Sequence, residues 1–196
     1  ECVQWARENC RVCLLGNHDA AAVGLLELEW FNPAARHALE WTARQLSTDE
    51  RLWLAARPVV HRIEQPGWLR LLLVHGTPRE PVTEYVEPEV ALAILRRPDF
   101  DICLVGHTHL MGVYTRVGYR PLLSNAELQL SPPCLVNVGS VGQPRDGQPQ
   151  AGYVLVDPAT GRLVARRVPY DVEATQRAML KAGLPRMLAE RLRLGQ

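Results

Sequence analysis

The chain has 196 residues, 47% of them hydrophobic and 22% charged, with a formal net charge of +1. That is ordinary for a soluble globular chain, and long enough for one domain that buries roughly 70% of its unfolded surface. The balance offers no field that draws nucleic acid or anionic lipid, and no apolar run nears the roughly 20 residues that span a bilayer. Lys181 is the single lysine, so a P-loop or Schiff-base lysine is out unless that residue serves. Five cysteines are an odd number, and Cys13 and Cys103 sit inside apolar runs. They read as small buried hydrophobes in a reducing compartment, which makes the cytoplasm the expected location.

Cys2 to Asn9 reads as the tail of an amphipathic helix rather than a start. Residues 12–15 form a short apolar run that predicts a buried strand, ending in Gly16-Asn17-His18-Asp19. Next comes an Ala-rich stretch and a helix with Asn32 as N-cap and Pro33 at its first position. Ser47-Thr48-Asp49-Glu50 has capping-box spacing and opens a second short helix. Residues 58–64 and 68–74 flank Gln65-Pro66-Gly67 as a hairpin, whose second arm runs into Val74-His75-Gly76. Residues 88–97 predict a helix closed by Pro98, and 101–105 the next strand, ending in Gly106-His107-Thr108-His109. From 111 to 167 the period is close to two and predicts a meander of short strands. The tail, 172–194, is helical with a break at Gly183-Leu184-Pro185. Alternating strands and helices, then clustered strands, then helices suggest two packed sheets with helices on their outer faces.

Ligands in such folds bind outside the carboxyl ends of the strands. Four of the six histidines, with Asn17 and Asp19, fall there, which points to a metal-dependent hydrolase. Asn17, His75 and His107 can supply two imidazoles and an amide oxygen to one ion, and His109 can flank a neighbouring one. His37 and His61 read as ordinary histidines. Asp19 beside His18 can fix its tautomer and raise its pKa for protonating a leaving oxygen, or can simply cap the following helix. Asn137-Val138-Gly139-Ser140-Val141-Gly142 offers small residues and amides, and Arg145 suits bidentate phosphate contact. A Gly-rich turn with a surface arginine explains the same residues equally well.

Gly16-Asn17-His18-Asp19, Val74-His75-Gly76-Thr77-Pro78, Gly106-His107-Thr108-His109 and Asn137-Val138-Gly139-Ser140 appear in an order that resembles the calcineurin-like metallophosphoesterase superfamily. The likeness is to its small bacterial and archaeal phosphodiesterase branch. The resemblance implies an α/β fold, a four-layer αββα sandwich of two mixed sheets. It also implies two divalent metal ions (Mn, Fe, Ni or Zn) bridged by a hydroxide, acting on a small phosphate ester as a phosphodiesterase or phosphatase. By motif position Asn17, His75 and His107 would hold the second metal and His109 the first, with His18 as catalytic acid and Asp19 orienting it.

The family pattern begins with Asp-x-His and Gly-Asp, and neither occurs in this sequence. The expectation is therefore that residues 1–196 are a single metallophosphoesterase domain missing an N-terminal β-α-β segment, and inactive as they stand. The alternative is a degenerate, non-catalytic scaffold of the same fold that binds a partner. A metallo-β-lactamase-like site wants His-x-His-x-Asp-His, whereas Leu110-Met111-Gly112 follows His109. No membrane or specific nucleic-acid partner is expected. Apolar strand edges left open would allow a homo-oligomer.

Overall fold

The computed structural model describes residues 1–196. Helix α1 (Cys2–Asn9) leads into an extended segment and helix α2 (Asn17–Ala22). A 3-10 turn, Leu28–Trp30, precedes α3 (Pro33–Gln45) and α4 (Thr48–Ala55). Both caps read from the sequence are present. Asn32 Oδ1 accepts the Ala35 N–H at 3.0 Å. Ser47 and Glu50 exchange side-chain bonds to each other's backbone N–H, at 3.2 and 2.8 Å.

Strands β1 (Val60–Ile63) and β2 (Leu71–Val74) form the hairpin around Gln65-Pro66-Gly67. Helix α5 (Pro88–Leu95) and β3 (Ile102–Val105) follow, then β4 (Gly112–Thr115), β5 (Gly118–Pro121), β6 (Glu127–Gln129) and β7 (Cys134–Asn137). Strands β8 (Ala151–Asp157) and β9 (Arg162–Val168) precede helices α6 (Val172–Lys181) and α7 (Arg186–Leu194), which pack on each other. The break between those helices falls at Gly183, whose φ of 76° a glycine adopts freely.

Six strands form a mixed sheet in the order β1-β2-β3-β7-β4-β5, in which β2, β3 and β7 run parallel. The second sheet, β6-β9-β8, is antiparallel throughout. The pleat divides the central strands between two cores. Leu72, Val74, Cys103, Val105 and Leu135 pack under α5 with Ile94, Leu95 and Phe100. Their neighbours Leu71, Ile102, Cys134 and Val136 face Leu163 and Ala165 of the second sheet. The near-continuous apolar sequence of each central strand follows from burial on both faces.

Three expectations change. Residues 12–15 form no ladder; their one backbone bond runs from Leu15 N–H to Pro58 O at 3.0 Å, and without a paired neighbour an apolar run is not a strand. The 111–167 region is no simple meander, because β7 leaves its sequence neighbours and inserts between β3 and β4, parallel to β3. Asn17, His18 and Asp19 lie in the first turn of α2 rather than at the end of a strand. No helix is long and apolar enough to cross a membrane.

Candidate active site

Parallel strands deliver their carboxyl ends to one edge of the sheet. Here β2 hands over to His75, β3 to Gly106-His107, and β7 ends at Asn137, directly opposite Val105 in register. The N-terminus of α2 completes the edge with Asn17. His75 Nε2 lies 3.0 Å from Asn17 Oδ1 and 3.1 Å from His107 Nδ1. Two acceptors thus face one ring nitrogen, and a single cation satisfies all three.

The second ring nitrogen of His107 sets its tautomer. Nε2–H donates to the Thr83 carbonyl at 3.0 Å, which leaves the Nδ1 lone pair turned to the cluster. Tyr85 stacks flat on the same ring, with centroids 4.0 Å apart and planes 12° from parallel. Donor atoms bound at about 2.1 Å lie roughly 3.0 Å apart when adjacent around an octahedral ion, so the observed spacing fits a ligand set. No group of three or more His, Cys, Asp or Glu side chains is placed to hold a metal ion; the third member of this cluster is an amide oxygen.

His109 stands outside that trio. Its Nδ1–H donates to Gln143 O at 2.7 Å, leaving Nε2 free. His107 and His109 both adopt left-handed backbone conformations, with φ of 61° and 62°. Such conformations cost a non-glycine residue about 1–3 kcal/mol and persist only where the surroundings impose them. Asn137 imposes them here. Fully buried at the end of β7, it donates to Gly106 O at 2.6 Å and Thr108 Oγ1 at 2.7 Å, and accepts from Gly139 N–H at 3.0 Å.

Burial holds the imidazoles neutral. It pushes His75 down to about 3, with His107, His109 and His18 adding to the effect. It pushes His109 down to about 4, helped by Arg145 and opposed by the Gln143 bond. His107 is also lowered, chiefly by burial. Neutral rings are what a divalent ion requires.

His18 borders the cleft edge-on to Phe31, with ring centroids 5.0 Å apart. Burial, then Arg145 and His107, hold its pKa below the usual imidazole range. Asp19 does not reverse this. Its Oδ2 accepts the Gly16 N–H at 2.9 Å as a helix cap, and it makes no hydrogen bond to His18. The capping reading of Asp19 describes its contacts; the expected rise in the His18 pKa is absent. Burial pushes the Asp19 carboxyl above its ordinary value despite the Gly16 bond.

Arg145 faces the same cleft. Its N–H donates to His109 O at 3.2 Å and its Nη2 to Gln143 Oε1 at 3.2 Å, while Nε is buried without a partner. The next residue anchors this loop: Asp146 pairs with Arg167, whose side chain is 2% exposed, and accepts the Met111 N–H at 3.3 Å. The structure thus brings Asn17, His75 and His107 into contact. It sets His18 and Arg145 on the wall of the same cleft, and leaves His109 bonded to the Arg145 loop. The sequence reading missed Thr83 and Tyr85, which no local pattern marks, and the clamping role of Asn137, whose place at the end of an apolar run was its only signal.

Residues 2–161 match the model of the calcineurin-like phosphoesterase superfamily domain. Protein MJ0912 of Methanocaldococcus jannaschii is 32% identical over all of this chain and 80% of its own length. A crystal structure of a metallophosphoesterase from Sphaerobacter thermophilus superposes with a TM-score of 0.85 at 35% identity, over all of this chain and 81% of that one. Protein PH1004 of Pyrococcus horikoshii shares the fold at a TM-score of 0.75 and 19% identity, over all of this chain and 77% of its own. By its motifs, its fold and these relatives, the chain belongs to the calcineurin-like phosphoesterase superfamily, whose members hydrolyse phosphate esters with divalent metal ions.

Proposed function

We propose that this protein is a dinuclear metal-dependent phosphoesterase, with residues 1–196 acting as one domain. The contact of Asn17 Oδ1, His75 Nε2 and His107 Nδ1 carries the reading. An amide oxygen and two neutral imidazoles suit Mn, Fe, Ni or Zn, and His109 Nε2 is the free donor for a second ion. Bound ions in such a site polarise the phosphoryl group and activate the attacking water. The chain's own residues do the rest. Arg145 takes a phosphate oxygen, and its unpartnered Nε supports that role. His18 gives a proton to the leaving oxygen. Bound phosphate opposes the Arg145 charge that lowers His18, so the anion itself draws a proton onto the ring. The five free cysteines suit a reducing cytoplasm.

The test is Mn²⁺-dependent hydrolysis of bis(p-nitrophenyl) phosphate and p-nitrophenyl phosphate by the full natural chain, with His75→Ala as control. Metal-dependent turnover lost in the variant is the expected result. A chain that binds no divalent ion and hydrolyses neither ester is the non-catalytic scaffold instead.

A further inference from the structure

The cleft beside the histidines holds about 550 Å³ and reaches well past any single phosphate. One wall comes from the 3-10 turn and α3, with Trp30, Phe31 and Leu26. The other comes from α7, which lies outside the residues that match the family model. From that helix Arg191 also lines the cleft, and the Arg145 loop meets the end of α7 where Gly147 N–H donates to Gly195 O at 3.0 Å.

Neither arginine pairs with an Asp or Glu side chain. Eight ion pairs occupy other arginines of the chain, and none includes Arg145 or Arg191. Arg145 Nη2 donates to Gln143 Oε1 at 3.2 Å, and Arg191 Nε donates to a main-chain oxygen of Gln196 at 2.9 Å. No carboxylate lines the cleft. Arg191 is correspondingly destabilised as a cation, by burial and by the Arg145 charge. Two guanidiniums that line one cleft, with no Asp or Glu side chain in its lining, offer a bound phosphate a matching pair of donor forks. The opposite wall carries Leu26, Trp30 and Phe31, and Trp30 is 74% exposed.

We propose that Arg145 and Arg191 form a second-phosphate subsite next to the histidine cluster, and that Trp30 and Phe31 receive a flat ring, so that the ligand class is the nucleoside diphosphates. The substrate assignment rests on the phosphoesterase reading; the binding subsite does not.

Binding separates the two. The full natural chain is titrated in EDTA with ADP, AMP, adenosine and inorganic pyrophosphate, followed by calorimetry and tryptophan fluorescence. ADP should bind about tenfold or more tighter than AMP, the scale of a charge-assisted pair, and tighter than pyrophosphate. Arg191→Ala should bring ADP to the AMP level and leave adenosine unchanged. Phe31→Ala should weaken ADP, AMP and adenosine alike. Thermal unfolding checks that each variant is folded. If Arg191→Ala does not fold, Arg191→Lys carries the test, since it keeps the charge and loses the fork. Equal binding of ADP and AMP by the unmodified chain, pyrophosphate binding as tight as ADP, or an ADP preference that survives loss of Arg191 overturns the proposal. Mn²⁺ binding is measured separately: a chain that takes no metal but prefers ADP through Arg191 sinks the enzyme reading and keeps the subsite.

Discussion

His75 Nε2 stands 3.1 Å from His107 Nδ1, although 32 residues separate the two in sequence. Ring nitrogens are held this close because β2 and β3 are hydrogen-bonded neighbours that end together. His75→Ala, or Asn17→Ala, removes a donor outright. Each should cost more Mn²⁺ affinity than the about 10–100-fold typical of losing an outer hydrogen-bond partner. Isothermal titration decides this, and an unchanged affinity in either variant removes that residue from the ligand set.

Asn137 holds the loop on which His107 and His109 adopt left-handed backbones. Asn137→Ala leaves the half-buried Gly106 carbonyl and Gly139 N–H without their partner, at a cost of about 1–3 kcal/mol. Chemical unfolding should show that loss, and metal affinity should fall with it. Asn137→Asp should be no better, since it turns a carboxylate oxygen towards the Gly106 carbonyl. A variant with native stability and weakened metal binding would mean that the clamp orients the loop without stabilising the fold.

Gly16 sits under the His75 ring: a Cβ there would lie 3.1 Å from Nδ1 and 3.2 Å from Asp19 Oδ2. Its φ of −94° and ψ of 171° suit any residue, so Gly16→Ala brings no backbone strain. The added methyl instead crowds the His75 ring. Metal affinity should drop while thermal stability changes by less than about 1 kcal/mol. Wild-type metal binding in this variant would show that the ring has room to yield.

Acid should destabilise the metal-free protein from near-neutral pH downwards. Above about 6.5 the cluster imidazoles are neutral in both the folded and the unfolded chain. Below it the unfolded chain binds protons that the folded chain refuses until about 3 for His75 and about 4 for His109. Stability therefore falls as pH drops through that window, with further losses from His18 and His107. Urea midpoints measured between pH 7 and 4.5 in EDTA test this, and His75→Ala should flatten the slope. A flat profile in the unmodified chain would contradict the lowered pKa values of His75 and His109.

Local chemistry made much of the architecture readable. Asn32, the Ser47 and Glu50 pair, the Gln65-Pro66-Gly67 turn and the Gly183 break all act within a few residues, and each stands where its sequence places it. Partner choice between strands does not act locally. A period of two marks 111–167 as extended, but not that Cys134–Asn137 would leave its neighbours for β3. Residues 12–15 have the composition of a strand, and pairing, which composition does not encode, is what they lack. At the site, residue type and strand-end position located the histidines. The contacts of Asp19 and the stacking of Tyr85 on His107 depend on three-dimensional directions that spacing leaves undetermined.

The insertion of β7 between β3 and β4 also orders assembly in time. Strands β1, β2 and β3 can pair as soon as residue 105 exists, and β4 with β5 can fold as a separate hairpin. The two halves join only when residues 134–137 close a loop of about thirty residues back onto β3, a slow non-local step compared with hairpin formation. Asn137 is the last residue of that strand, so the histidine loop is locked by the same event that completes the sheet. Partly folded chains then lack a rigid pair of imidazoles.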